Sequence, residues 1–208
     1  MRYLTFTVVS LLTTSLWAAR NKEIPADAAG MVARTEGTVT GEVMGKKRHL
    51  HAGDAIINGE VIATADASKV KVLLADDSVL NLGPKTRFEI GKVEVKEGSR
   101  TISMKIITGK FMAAVSRWFG GGGNNWQVET PTAVAGVRGT VLWGDTQLDA
   151  ICALYGTIEV KSLSGGDGTN VKLDAGNCAS KMAQGKTEPL KPTPEEVAKY
   201  LSEVTISR

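Results

Sequence analysis

Hydrophobic and polar residues alternate along most of this chain with the two-residue period of strands rather than the longer period of helices. In KVKVLLA, Val70, Val72 and Leu74 fall on one face. TRFEI brings Phe88 and Ile90 together, and TISMKII does the same for Ile102, Met104 and Ile106. KFMAAV follows with Phe111, Ala113 and Val115 inward, and TIEVKSL with Ile158 and Val160. Beyond Ile90 the phase breaks. Val93 and Val95 carry on in the opposite parity after Gly91, which predicts a β-bulge or corner at the glycine.

Glycine supplies the punctuation. Turn signals recur at AGD (52–54), NGE (58–60), ADDS (75–78), LGP (82–84), KEGS (96–99), SGGDG (164–168) and DAG (174–176). Short strands separated by such signals predict an all-β fold: a sandwich, a barrel or a solenoid. With only 4 Trp, 3 Tyr and 4 Phe, the core must be built from Val, Ile, Leu and Ala. Thin layers of that kind favour short stacked strands in a solenoid-like body over a broad sandwich-like one. GTV at Gly37 and Gly139 and GTI at Gly156 are unequally spaced, so they read as recurring corners rather than as a periodic array. FGGGGNN (119–125) reads as a loop open to nicking.

The helical period appears only near the end. Thr193 is placed to cap a helix, with Pro194 in its first turn and Glu195 and Glu196 beside the positive end of its dipole. Val197, Leu201 and Val204 share a face. The start of the chain differs again: Arg2, an apolar and hydroxyl run to Trp17, then Ala18–Ala19 reads as a secretory signal peptide. The expected organisation is therefore a signal peptide at 1–19, a β domain at 30–187, and a proline-containing linker with a short C-terminal helix at 188–208. No stable membrane span is expected after cleavage, which places the protein in the periplasm or outside the cell.

Charge and cysteine usage sharpen this reading. The formal net charge is +3 and well mixed, unlike the footprint of a nucleic-acid binder. Cys152 and Cys178 are the two cysteines of a chain read as exported, so a disulfide between them is expected.

Candidate chemistry is sparse. His49 and His51 share a strand face, with Asp54 near, but Lys46, Lys47 and Arg48 would repel a cation, and no metal or cofactor is expected. Asp76 and Asp77 are adjacent and fit a side-chain-capped turn better than an acid–base pair. No catalytic constellation emerges, and the expectation is a protein that is not an enzyme. GVRG (136–139) matches the Gly-x-x-Gly of a KH loop literally, yet strand-like residues flank it. Trp118, Trp126 and Trp143 either pack in the core or stack on sugar rings, the second option making this a cell-wall or carbohydrate-binding module.

The order of these motifs resembles the FecR domain. GTVTGEV (37–43) opens it, the run from His49 to Ile90 follows with its Gly-Asp, Asp-Asp-Ser and Leu-Gly-Pro pieces, and ITGKFMAAV (107–115) comes next. WQVETPTAVAGVRGTVLW (126–143) carries the hallmark in Thr130, Pro131, Val137, Arg138, Gly139 and Thr140, and LYGTIEVKS and VKLDAGNCAS close the match. The resemblance implies an all-β body that contacts another envelope protein, as the family's domain contacts the signalling domain of a TonB-dependent receptor. The apparent signal peptide in place of a cytoplasmic anti-sigma segment departs from that plan. The hallmark is expected to be structural: Gly136 and Gly139 turning a corner, Pro131 keeping Thr130 extended, and Arg138 holding a carboxylate or loop carbonyls. Strand-edge pairing is the expected mode of partner binding.

Overall fold

The computed structural model describes residues 24–120, 122–164, 170–184 and 188–206. The expected signal peptide lies outside the described residues. The first strands are β1 (Gly30–Glu36), β2 (Val39–Val43), β3 (Lys46–His49), β4 (Ala55–Ile56), β5 (Glu60–Thr64) and β6 (Lys69–Leu74). Then come β7 (Val79–Leu82), β8 (Arg87–Lys96), β9 (Ser99–Thr108), β10 (Lys110–Ala114), β11 (Asn124–Glu129) and β12 (Ala133–Val137). The last are β13 (Val141–Asp145), β14 (Ala150–Tyr155), β15 (Thr157–Ser162), β16 (Asn170–Asp174), β17 (Asn177–Ser180) and β18 (Glu188–Leu190), before helix α1 (Pro194–Val204). Residues 188–190, expected in the linker, thus form a strand.

Two nine-stranded sheets result. The first runs β18-β17-β14-β13-β10-β7-β6-β1-β4 and the second β16-β15-β12-β11-β9-β8-β5-β2-β3. The chain lays a strand or hairpin on one sheet, crosses, and lays the next on the other, so both sheets grow together from the N-terminal end to the C-terminal end. The strands are as short as expected, but they stack into two wide sheets. The structure is a sandwich built by a solenoid-like winding. Val70, Val72, Leu74, Phe88, Ile90, Ile102, Met104, Ile106, Phe111, Ala113, Ile158 and Val160 all lie in one buried core.

Every short crossing contains a residue in the left-handed region: Gly37, Gly53, Gly59, Ala67, Lys85, Gly109, Gly139, Gly156 and Gly176. Only a residue without a Cβ adopts that geometry freely, which explains the glycine in most of them. Several of these corners grip one another through a hydroxyl placed just after the left-handed residue. Ser68 accepts from Thr38 N (2.9 Å), Thr86 Oγ1 donates to Lys110 O (3.2 Å), and Thr140 Oγ1 donates to Thr157 O (3.1 Å). A Cβ on Gly109 would run into Thr86, so the glycine there is needed for space as well as for φ. The predicted irregularity at Gly91 is present as a register shift between Glu89 and Lys92 in the β8–β9 pair.

Helix α1 lies on the outer face of the first sheet. Thr193 and Glu196 form a reciprocal capping box, with Pro194 at the helix start. Tyr200 stacks on Trp143 with ring centroids 4.2 Å apart and planes 10° from parallel, and Val204 is fully buried. Lys69 Nζ donates to Ser202 O (2.8 Å) and Thr205 O (2.9 Å), placing a cation at the negative end of the helix. Lys110 Nζ meets Glu203 at 2.7 Å and Asp145 at 3.5 Å. Beneath the helix, Cys152 and Cys178 face each other across β14 and β17 and form the expected disulfide. Closing a segment of 26 residues, it stabilises by about 3 kcal/mol in the chain-entropy account.

The docking of α1 titrates at alkaline pH. Burial opposes the charge on Lys110, but Glu203 and Asp145 outweigh it and hold the pKa above the ordinary lysine value. Burial, aided by Glu196, Asp145 and Glu203, raises that of the Tyr200 phenol. Both groups bind their protons more tightly when α1 is docked. Their contribution is complete below the ordinary values, near about 10, and is lost as pH rises through the elevated ones. Near-ultraviolet circular dichroism of the Trp143–Tyr200 pair is expected to fade above about pH 10 before the β signal does. A β signal that melts in step with it would contradict separate undocking.

Candidate binding site

Three of the buried polar residues, Asp76, Ser78 and Arg100, meet where the chain leaves β10 for β11. This crossing is long, and β11 returns parallel to β9, the one parallel pair among the described residues. A segment crossing the end of the core needs partners for its backbone groups. Arg100 supplies one, to Ser116 O, and holds the side chains around it. It donates through Nη1 to Asp76 Oδ2 (2.7 Å) and Ser116 Oγ (2.8 Å), through Nη2 to Ser116 O (2.9 Å), and through Nε to Asn124 Oδ1 (2.7 Å). The side chains of Arg100 and Asp76 are both fully buried. Burial draws the Arg100 pKa below its usual value, while Asp76 pushes it back up. Asp76 also accepts from Ser78 N (3.1 Å) and Ser78 Oγ (2.7 Å), and Ser116 N donates to Ser78 Oγ (3.1 Å). The Asp-Asp-Ser turn is therefore side-chain capped, as its sequence predicts, and Asp77 takes the left-handed position. Trp118 covers the guanidinium, its ring centroid 5.6 Å from Cζ.

The glycine-rich stretch after Trp118 is better packed than the sequence implies. Gly122 sits against the Gly98 carbonyl with no room for a Cβ, and Gly123 O accepts from Arg100 N at 2.9 Å. Gly121 lies outside the described residues.

Among the hallmark residues, Thr130 closes the β11–β12 turn. Its Oγ1 accepts from Ala133 N (2.9 Å) and Thr132 N (3.2 Å), while Pro131 is exposed at the tip. Val137 is in the core, Gly139 is a corner with φ +65°, and Thr140 grips the next corner. Two expectations fail. Gly136 is not a corner: it lies inside β12, in regular register with Gln127 and Glu159. Arg138 holds neither a carboxylate nor carbonyls. It is exposed and has no hydrogen bond or ion pair among the described residues. Both residues instead line a cleft of about 500 Å³, together with Asn124, Asn125, Trp126 and Glu159.

The remaining candidates are dispersed. His49 and His51 are exposed, and Asp54 accepts from His51 N at 2.7 Å as part of a turn. Among the described residues no group of three His, Cys, Asp or Glu side chains is gathered. Arg48 makes a two-pronged contact with the fully buried Glu60, through Nε (3.0 Å) and Nη2 (2.9 Å). Trp126 and Trp143 are buried, so neither offers a ring face to a sugar, and Trp118 is committed to Arg100.

The sheet edges differ in what they offer. β4 has two residues, β18 carries Pro189, and β3 is Lys46–Lys47–Arg48–His49, fully exposed and guarded by charge. β16 is longer, and its Val171 is only partly covered against the core. On the outer face of the first sheet, Met31, Leu73, Val79, Ala114, Val141 and Tyr155 stand side by side in register. None of the six is buried.

The chain is thus a two-sheet sandwich wound from short hairpins, with an ionic knot in its core and a partly covered edge strand, a cleft and an apolar row on its surface. The chain belongs to the FecR protein family, whose profile matches residues 60–165. It is similar in fold to two crystal structures of a "putative anti-sigma factor" from Parabacteroides distasonis, each at 17% identity with a TM-score of 0.53. Each alignment covers 68% of this chain, but only 64% and 63% of the respective neighbour. A search of curated proteins returned no match.

The contrast between the two arginines is testable. Arg100→Ala leaves Asp76 buried and unpaired and is expected to cost about 3–5 kcal/mol in urea unfolding. Arg138→Ala is expected to change stability by less than about 0.5 kcal/mol. Equal losses in the two variants would contradict this division.

Proposed function

We propose that this protein is a non-catalytic, exported FecR-type module that takes part in envelope signalling by binding another envelope protein, whose strand adds to the edge of β16. The free β16 edge carries this reading. An added strand would satisfy its outward backbone groups and complete the cover over Val171. The in-register row from Met31 to Tyr155, partly exposed and ending on the exposed Tyr155, supports a protein partner, because contiguous apolar surface of this kind marks interaction sites. Export is supported by the signal-like N-terminus and by the Cys152–Cys178 disulfide, a bond that persists in oxidising compartments.

A photo-crosslinking residue at Lys172, on β16, is expected to capture a discrete envelope protein in intact cells. The same probe at Lys47, on the guarded β3 edge, is expected to capture none. Uncrosslinked monomer alone from the Lys172 probe, or the same adduct from both edges, would overturn the assignment of β16.

A further inference from the structure

The outer face of the first sheet is covered only in part. The row from Met31 to Tyr155 crosses β1, β6, β7, β10, β13 and β14, and at about 4.8 Å between strands it is about 24 Å long. Two residues along the same strands lies a second row, with Lys71, Asn81, Met112 and Trp143 side by side. Helix α1 is seated there. Tyr200 stacks on Trp143 of β13, and Lys69 of β6 holds the carbonyls at the end of the helix. The helix therefore runs across the strands, alongside the uncovered row.

The flank that α1 turns to the row is apolar. Glu203 reaches Lys110, which lies on the side of Met112 away from the row. At about 3.6 residues per turn, Leu201 and Ala198 are on the other side of the helix from Glu203, and neither is buried. The row is the floor of a groove and these two residues are its wall, continuous with the surface that α1 already covers.

The shape of the groove selects its occupant. α1 stands about 10 Å above the sheet and holds off any flat surface. Its outward side carries Glu195, Lys199 and Ser202, all exposed, which a second copy laid face to face would bury against the row. The strands beneath already pair within the sheet and offer no edge to an added strand. A rod as thick as α1, with one apolar stripe, fits as α1 itself does, and about sixteen helical residues span the row. Charge narrows the choice. Arg34 and Lys71 face each other in register beside Met31 and Leu73, and at the other end Arg117 Nη2 donates to the Tyr155 hydroxyl at 3.4 Å. None of these three cations has a carboxylate partner among the described residues. Against them the margin carries Asp77, in the turn between β6 and β7.

We infer that this groove takes an amphipathic helix of a partner protein, laid beside α1, with its apolar stripe on the row and acidic residues toward Arg34, Lys71 and Arg117. The assignment rests on the reading of a protein partner and is independent of strand addition at β16.

The test is a nuclear magnetic resonance titration of the folded protein with three capped peptides of about sixteen residues. One is built of Leu, Ala and Glu with leucines along one helical face, one has Lys in place of Glu, and one is a scramble of the first without an apolar face. The Glu peptide is expected to shift the methyl resonances of Leu73, Val79 and Val141 saturably, and the scramble to leave them in place. The Lys peptide is expected to bind at least about tenfold more weakly. Val79→Glu, with unchanged thermal stability, is expected to abolish binding. Lys71→Glu combined with Arg117→Glu is expected to reverse the preference between the Glu and Lys peptides, a readout that loss of packing alone would not give. Equal shifts from the scramble, equal affinity for the Glu and Lys peptides, or an unchanged preference in the double variant would overturn the assignment. So would sedimentation of the protein alone as a dimer that Val79→Glu returns to monomer, which would give the row to a second copy. Crosslinking from Lys172 reports on β16 separately, so either site can fail while the other stands.

Discussion

A chain that alternates between two sheets must turn out of one and into the other within one to a few residues, and right-handed backbone geometry does not allow this. The left-handed residue at each short crossing is the constraint from which the rest of the architecture follows. Because each crossing is tight, consecutive hairpins land opposite one another, and both inner faces fill together as the chain advances. The hydroxyls of Ser68, Thr86 and Thr140 then bind neighbouring corners, so that a strained local geometry on one turn is held by the next. Gly139-Thr140 combines both parts in one dipeptide: a glycine for the turn and a hydroxyl for the grip.

The one crossing that escapes the rule shows what the rule avoids. From β10 to β11 the chain takes a long path, and the polar backbone it brings across the end of the core requires a charged group to satisfy it. Arg100 satisfies Ser116 O through Nη2, holds Ser116 Oγ and Asn124 Oδ1 through Nη1 and Nε, and at the same time demands Asp76 as counter-charge. A buried pair of this kind adds little net stability over an apolar replacement of the same shape, but losing either partner is expensive. The knot thus fixes the path of the crossing more than it strengthens the fold, and through Asn124 it also fixes one wall of the cleft.

Much of this was legible in the sequence, for reasons that can be located. The strand faces followed from parity, the Gly91 irregularity from a break in parity, and the α1 start from Thr193, Pro194 and Glu196. Arg100 was missed, though its parity is that of Ile102, Met104 and Ile106, and Asp76 shares the parity of Val72 and Leu74. Two opposite charges on core-facing positions are a signal for a buried pair, as Glu60 is beside Ile62. The stacking of Tyr200 on Trp143 was not legible, because nothing local in either segment states which sheet face the helix will cover. The width of the sheets was hidden for a similar reason. Strand length is a local property, whereas the number of strands per sheet depends on every crossing.

The segment from Thr130 to Thr140 divides into residues that the fold uses and residues that it does not. Thr130, Val137, Gly139 and Thr140 have work inside the fold: a turn acceptor, a core side chain, a corner and a grip on the next corner. Gly136, within β12, and Arg138, just past its end, flank Val137, and alternation places Gly136 on the opposite face from it. A residue on the outer face contributes nothing to the core, and Arg138 makes no hydrogen bond among the described residues. The fold would tolerate a side chain at 136 and a neutral one at 138. What sets these two positions apart is the cleft they share, where a strand glycine that packing does not require lies near a guanidinium with no partner among the described residues.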